Sequence, residues 1–218
     1  MSRDSIIRDV MLNAPIDWLL EESDPSVRYL TLRDILLNGD KDEQLEVCRY
    51  AIQESPVVKK IISKMDEKGY WGDSENPYLP KYKSSYWQII VLGLLHAENS
   101  NEKIRKSCEH IFGFQQKSGA FSAETKKMHV KRYQNLLSKG KNLPPFQEWS
   151  MTLVHEQELS CLTGNMVSSL MRLGYGDDSR VKRSIDWLVE IQNEDGGWKC
   201  PYWRAHVKDR HACFHGTA

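Results

Sequence analysis

Four residues in the C-terminal half of the sequence offer the donor types best suited to a metal ion. Cys161, Cys200, His211 and Cys213 follow one another at intervals of 39, 11 and 2 positions. Thiolates and imidazole nitrogen suit zinc. Four such ligands would close a tetrahedral structural site, and three would leave a position for water or a substrate thiolate. The intervals match no compact finger pattern, so a site requires a fold that brings distant helix starts together. The plain alternative is packing, since small thiols near helix starts are commonly buried. His215, just after Cys213, is an alternate ligand, while Cys48 and Cys108 fall on amphipathic segments and read as core.

A second set of residues points to anion binding. Lys81, Lys83, Lys208 and Arg210 stand just before the starts of helical segments, where free backbone N–H groups and the helix dipole favour a phosphate or diphosphate. Tyr82, Tyr86 and Trp87 could line an apolar pocket beside the first pair. In a chain that is 28% charged, solvated lysines before helices are the competing reading. Carboxylates give less. Asp177-Asp178 precedes Ser179 as a helix cap would, and Glu156 and Glu158 could reach the rim near Cys161 as acid, base or ligand, or lie exposed. Nucleophile-elbow, phosphate-loop and dinucleotide fingerprints are absent.

The elements that must position these residues are helices. Apolar residues recur at helical spacing over Ile16–Glu21, Val27–Leu37, Leu45–Gln53, Val57–Lys64, Trp87–His96, Ile104–Phe114, Leu162–Leu173 and Val181–Gln192, and strand-like alternation is scarce. Asp24-Pro25-Ser26 and Asp178-Ser179 read as starts, Asn38-Gly39 and Lys68-Gly69 as stops. The fold class is all-α.

Repetition organises these helices. Three segments end alike, at Met65–Trp71, Gln115–Phe121 and Gln192–Trp198: a helix end, a glycine turn, an aromatic residue. Ser85 to Gln115 spans 30 positions and Cys161 to Gln192 spans 31, each holding a helix pair. Units of this size bury their apolar faces against one another. Phe121 precedes Cys161 by 40 positions, whereas Trp71 precedes Ser85 by 14 and Trp198 precedes Cys213 by 15, which aligns Cys161 with Cys213. The middle repeat therefore carries an insertion of roughly twenty-five residues. It lies within residues 123–158, begins with a basic helical stretch, passes through Leu143-Pro144-Pro145-Phe146, and reads as a lid.

The turn Gln192–Trp198, Q-x-x-D-G-G-W, resembles the glutamine–tryptophan motif of squalene cyclases and the related turn of protein prenyltransferase β subunits. With the helix-pair period, the likeness to this terpenoid-cyclase and prenyltransferase superfamily extends from about Lys59 onward. Residues 1–58 suit a HEAT-like repeat equally well. The resemblance implies an α/α toroid, here a partial one that stops within a helix pair. It further implies that Gln192, Asp195, Gly196, Gly197 and Trp198 lock repeats together, Gln192 by capping neighbouring helices and Trp198 by packing on the next repeat. His211-x-Cys213 resembles the place where prenyltransferases present zinc, although they carry D-x-C there, and the D-x-D-D acid motif of class II cyclases is missing. An apolar isoprenoid-type ligand, with zinc as cofactor, is what the family likeness implies. A non-catalytic helical-repeat interaction module is the competing expectation.

Composition bounds the rest. Thirty basic and thirty acidic residues in 218 give zero formal charge, so no bulk field favours nucleic acid. Five scattered cysteines argue for reduced thiols, and no apolar run reaches bilayer length, so a single cytoplasmic domain over 1–218 with no membrane span is expected. Leu162, Met166, Val167, Leu170 and Leu173 form a stripe whose expected neighbour begins only at Cys213. Part of it should stay uncovered and drive self-association through the C-terminal edge.

Overall fold

The structure, a computed structural model, describes residues 16–39, 42–150, 158–199 and 211–217. Its regular elements are helical: α1 (Ile16–Leu19), α2 (Pro25–Leu30, continued by a π turn over Thr31–Ile35), α3 (Glu43–Glu54), α4 (Pro56–Ile62), α5 (Ser85–Leu94), α6 (Glu102–Phe112), α7 (Lys126–Ser138), α8 (Ser160–Leu170, continued by a π turn over Met171–Tyr175), α9 (Ser179–Glu190) and α10 (Phe214–Thr217). The chain is all-α. No helix among the described residues is long and apolar enough to cross a membrane.

The starts follow from capping chemistry. Asp24 accepts a hydrogen bond from Val27 N with proline at the first helical position, Ser55 accepts from Val58 N before Pro56, and Asp42, Asn101 and Asp178 each accept from the amide two residues on. Those last three residues start the second helix of three successive pairs, and the apolar register after them repeats. Leu45, Ile104 and Val181 are fully buried, and so, one turn later, are Cys48, Ser107 and Ser184.

Two rows result. In the first row α2, α5, α8 and α10 succeed one another; Ser26 Oγ donates to Leu95 O at 2.8 Å, α5 lies along α8, and α8 meets α10. Gly93 lets α5 and α8 approach closely, because a Cβ there would sit 2.7 Å from Ser169 Cα. In the second row α3, α6 and α9 each pack on the first-row helix that precedes them. Val27–Leu37 thus holds the same place in its pair as Ser85–His96 does, and residues 1–15, at the start of the segment expected to be HEAT-like, lie outside the described set.

One expectation fails. Leu162, Met166, Val167, Leu170 and Leu173 are all buried, the most exposed at 8%, and α5, α9 and α10 are all in contact with α8.

Candidate functional site

The same turn, closed by the same bonds, follows α4, α6 and α9. Asp66 N donates to Tyr70 O, Gln116 N to Ala120 O and Asn193 N to Gly197 O, at 2.8–2.9 Å. Gly69, Gly119 and Gly196 take φ values of +89°, +105° and +85° to make the reversal. The aromatic amide then bonds a hydroxyl of the next first-row helix: Trp71 N to Ser85 Oγ at 3.0 Å, Phe121 N to Thr163 Oγ1 at 2.9 Å, Trp198 N to Thr217 Oγ1 at 3.1 Å. The indoles of Trp71 and Trp198 each donate to a carbonyl ten residues earlier.

These bonds fix the register of the cysteines. Leu159 N donates to Phe121 O and Cys213 N to Trp198 O, so Cys213 matches Leu159, and Cys161 matches His215. The alignment of Cys161 with Cys213, which took the excess over Trp198–Cys213 as the insertion, is two residues out. The chain does bring the neighbourhoods of the cysteines together. Ser160 Oγ donates to Lys199 O at 3.2 Å, and a Cβ on Gly216 would lie 3.1 Å from Ser160 Oγ and 3.6 Å from Cys213 Cβ. Cys161 is half-buried, Cys213 buried and His211 exposed, while Cys200, Lys208 and Arg210 lie outside the described residues, as does Glu156. Among the described residues no three His, Cys, Asp or Glu side chains converge as a metal-holding group.

Asp195 works within the turn: its carboxylate accepts from Gly197 N at 3.2 Å and Ala212 N at 2.7 Å, and those amides hold it below the usual carboxylate range. Asp178 is the cap of α9, as its sequence context implies. Glu158 accepts from Ser118 Oγ at 2.6 Å, which pins the end of the insertion.

The residues proposed around the start of α5 are divided. Tyr82 is exposed and stacks on half-buried Trp87 with centroids 4.9 Å apart. Tyr86 is fully buried between Phe114 and Phe121, and burial pushes its phenol well above the ordinary range. It is a core residue, so the three do not share one pocket wall. Lys81 and Lys83 are exposed, with Lys81 over the Tyr78 ring.

The insertion builds a site that the sequence reading passed over. Ser122 and Glu158 pair as an antiparallel bridge, so the excursion leaves and rejoins the repeat at one point. Tyr133, Phe146 and Trp149 form its own aromatic centre. Lys127 reaches Asp73 at 3.2 Å and Glu75 at 2.9 Å on the loop after the first turn. Between insertion, loop and the end of α6 lies a cavity of about 810 Å³. Phe114, Gln115 and Gln116 after α6, Ser74 and Glu75 on the loop, and Phe146, Gln147 and Ser150 of the insertion line it.

Within it stands a buried imidazole. His129 is 1% exposed, its Nε2 is 3.0 Å from Glu124 Oε2, and the pairing holds the Glu124 carboxyl below its ordinary range. The contact is an ion-pair distance without hydrogen-bond alignment, since Nε2 finds no properly directed partner. Arg132 approaches the other oxygen of Glu124 at 3.5 Å. The signal available in the sequence was the insertion itself, and Gln115 at the same phase as Gln192.

Comparison with protein-family models and with curated proteins returned no match.

Proposed function

We propose that this chain is a terpenoid-cyclase- or prenyltransferase-like α/α-toroid protein that binds a small organic ligand, and that the ligand occupies the cavity beneath the insertion. The observation that carries the reading is a cavity of about 810 Å³, within the range typical of ligand sites, walled by an excursion that only one of the repeats possesses. Two phenyl rings and a set of polar groups suit a molecule with an apolar part and a polar end. An isoprenoid-type tail would lie between Phe114 and Phe146 rather than at Tyr82, Tyr86 and Trp87. Exchanging the insertion for the short connection seen after Trp71 tests this. Two-state melting should persist while binding of small-molecule probes is lost; binding that survives the exchange would refute the assignment.

Zinc remains a proposal for the starts of α8 and α10. Ser160, Lys199 and Cys213 meet there, and Cys161, Cys200, Cys213 and His211 would hold the ion, which would supply Lewis acidity or a structural clamp. Metal analysis of purified protein, with the C161S and C213S variants, checks it: stoichiometric zinc lost in both is expected.

One observation favours the second reading, an interaction module that self-associates through its C-terminal edge. Val189, Ile191 and Phe214 are 65%, 36% and 80% exposed near a turn whose Gly196 has open space around it. A molar mass that rises with concentration in light scattering, and not in V189K, is expected of that reading; a constant monomer mass contradicts it.

A further inference from the structure

Two junctions inside the chain specify what a turn of this kind takes against it. Helices α6 and α9, which each follow a glycine turn, begin with matching residues: Asn101-Glu102-Lys103-Ile104-Arg105-Lys106-Ser107 and Asp178-Ser179-Arg180-Val181-Lys182-Arg183-Ser184. The sixth residue of each run presses on the turn in the same way. A Cβ on Gly69 would lie 2.9 Å from the Lys106 carbonyl carbon, and one on Gly119 would lie 2.8 Å from that of Arg183. The cation of this residue reaches the turn as well, Lys106 Nζ donating to Glu67 O and Arg183 Nη2 to Gln115 Oε1 at 2.8 Å. The third residue of the second run, Arg180, pairs with Glu109 of the preceding helix at 2.6 Å and stacks 3.6 Å over Phe112.

The corresponding places on α9 and its turn are open. Asp186 stands where Glu109 does, Val189 where Phe112 does, and Glu194 where Glu67 does. All three are exposed, Val189 at 65% against 7% for Phe112. Asp186, Glu190 and Glu194 are exposed carboxylates without an ion pair among the described residues, and they surround one apolar side chain. A second copy of the chain matches this edge less well. Its free second-row helix, α3, has Gln44, Glu46 and Val47 where α6 and α9 carry Lys or Arg, so the carboxylates would stay uncompensated.

We propose that the edge formed by α9 and the turn Gln192–Trp198 docks a basic helix of a partner protein, one with a capping Asn or Asp, cations at the third and sixth places and serine at the seventh. The inference rests on reading this edge as an interaction surface, and it names a different occupant. The partner's first cation pairs with Asp186 while its stem covers Val189. Its sixth residue presses on Gly196, where space is open, and its serine accepts from Gln192 Nε2 as Ser184 does from Gln115.

Amide spectra of the full chain, titrated with lactam-bridged peptides of the sequences 178–191 and 42–55, test the proposal; the bridge holds helices that are marginal in water at this length. The first peptide should shift the amides of Gln192, Gly196 and Trp198 saturably, and more weakly as salt rises, whereas the second should leave them in place. D186K combined with E190K, both at exposed positions, should weaken binding at least about 10-fold. A peptide carrying R180E and R183E should fail on the wild type and recover most of the affinity on that variant. Equal binding of the 42–55 peptide would overturn the basic-helix partner in favour of a second copy and leave the edge reading standing. Binding indifferent to the charge reversals, or no saturable shift with either peptide, would also overturn the partner. A molar mass constant with concentration, added to that last result, would remove the edge reading too.

Discussion

The turn at Gln115–Phe121 and the turn at Gln192–Trp198 have the same backbone, yet only the first is enclosed. Gln115 Nε2 donates to Gly119 O at 3.2 Å and continues to Arg180 O at 2.7 Å and Ser184 Oγ at 2.8 Å on α9. Gln192 Nε2 makes the first of these contacts, to Gly196 O at 2.7 Å, and remains exposed. A Cβ on Gly119 would overlap the Arg183 carbonyl, as one on Gly69 would press on Lys106, five residues beyond the corresponding cap. Phe112 is buried under Tyr175 and Arg180, whereas Val189, at the matching place on α9, is 65% exposed. The motif therefore supplies half of a junction. The other half is the second helix of the following pair.

The same contrast separates Trp198 from its counterparts. It shares the phase of Trp71 and Phe121, which are 3% and 0% exposed, but it is itself only half-buried. The largest effect should accordingly come from F121A, about 3–5 kcal/mol for a fully enclosed ring, with W198A clearly smaller. Equal losses in urea titration would mean that the terminal turn is as enclosed as the interior one.

Next in size should be the glycines. G119A adds a clash with α9 to the strain of a left-handed backbone, so about 3 kcal/mol is expected, against about 1 kcal/mol for G196A, where strain acts alone. Similar midpoint shifts would show that steric contact with the next helix contributes nothing. Q115A should cost about 1–2 kcal/mol, because Arg180 O and Ser184 Oγ lose a buried partner, and Q192A less than about 0.5 kcal/mol. In a double-mutant cycle Q115A and S184A should be coupled, which separates a junction bond from a local one.

The smallest effect is on pH. Arg180 links Glu109 to Asp178 across the interior junction, at 2.6 and 2.7 Å, and stacks 3.6 Å over Phe112. It holds both carboxyls below their ordinary values. A depressed folded-state value means that the contribution is present above the ordinary carboxylate range, near pH 4, and is lost as pH falls through the lowered values. Wild-type stability should fall more steeply than that of E109Q below about pH 4. Parallel profiles would show that the link is screened away.

The helix rows were legible because capping residues and apolar spacing are local signals. Asp24, Asp178 and the three glycine turns all act where their sequence context places them. The junction was less legible, since the closest match to a known motif, Gln192–Trp198, has no following second helix among the described residues, while the divergent Gln115–Phe121 has one and makes the contacts. Nothing local distinguishes a glutamine with a following helix from one without. The cavity was hidden for a related reason: Glu124 before α7 and His129 within it are ordinary residues of a basic stretch until the insertion folds back to rejoin the repeat at Ser122 and Glu158. The cysteine register slipped because counting from the aromatic ignores where the hydroxyls of Thr163 and Thr217 must fall.

Native-state hydrogen exchange of two amides tests the central claim most directly. Phe121 N–H and Trp198 N–H bond equivalent threonines at 2.9 and 3.1 Å, so local geometry alone predicts equal protection. If enclosure by the following pair is what secures the turn, Phe121 should exchange only through global unfolding and Trp198 at least about 100-fold faster, through local opening. Equal protection factors would contradict the account.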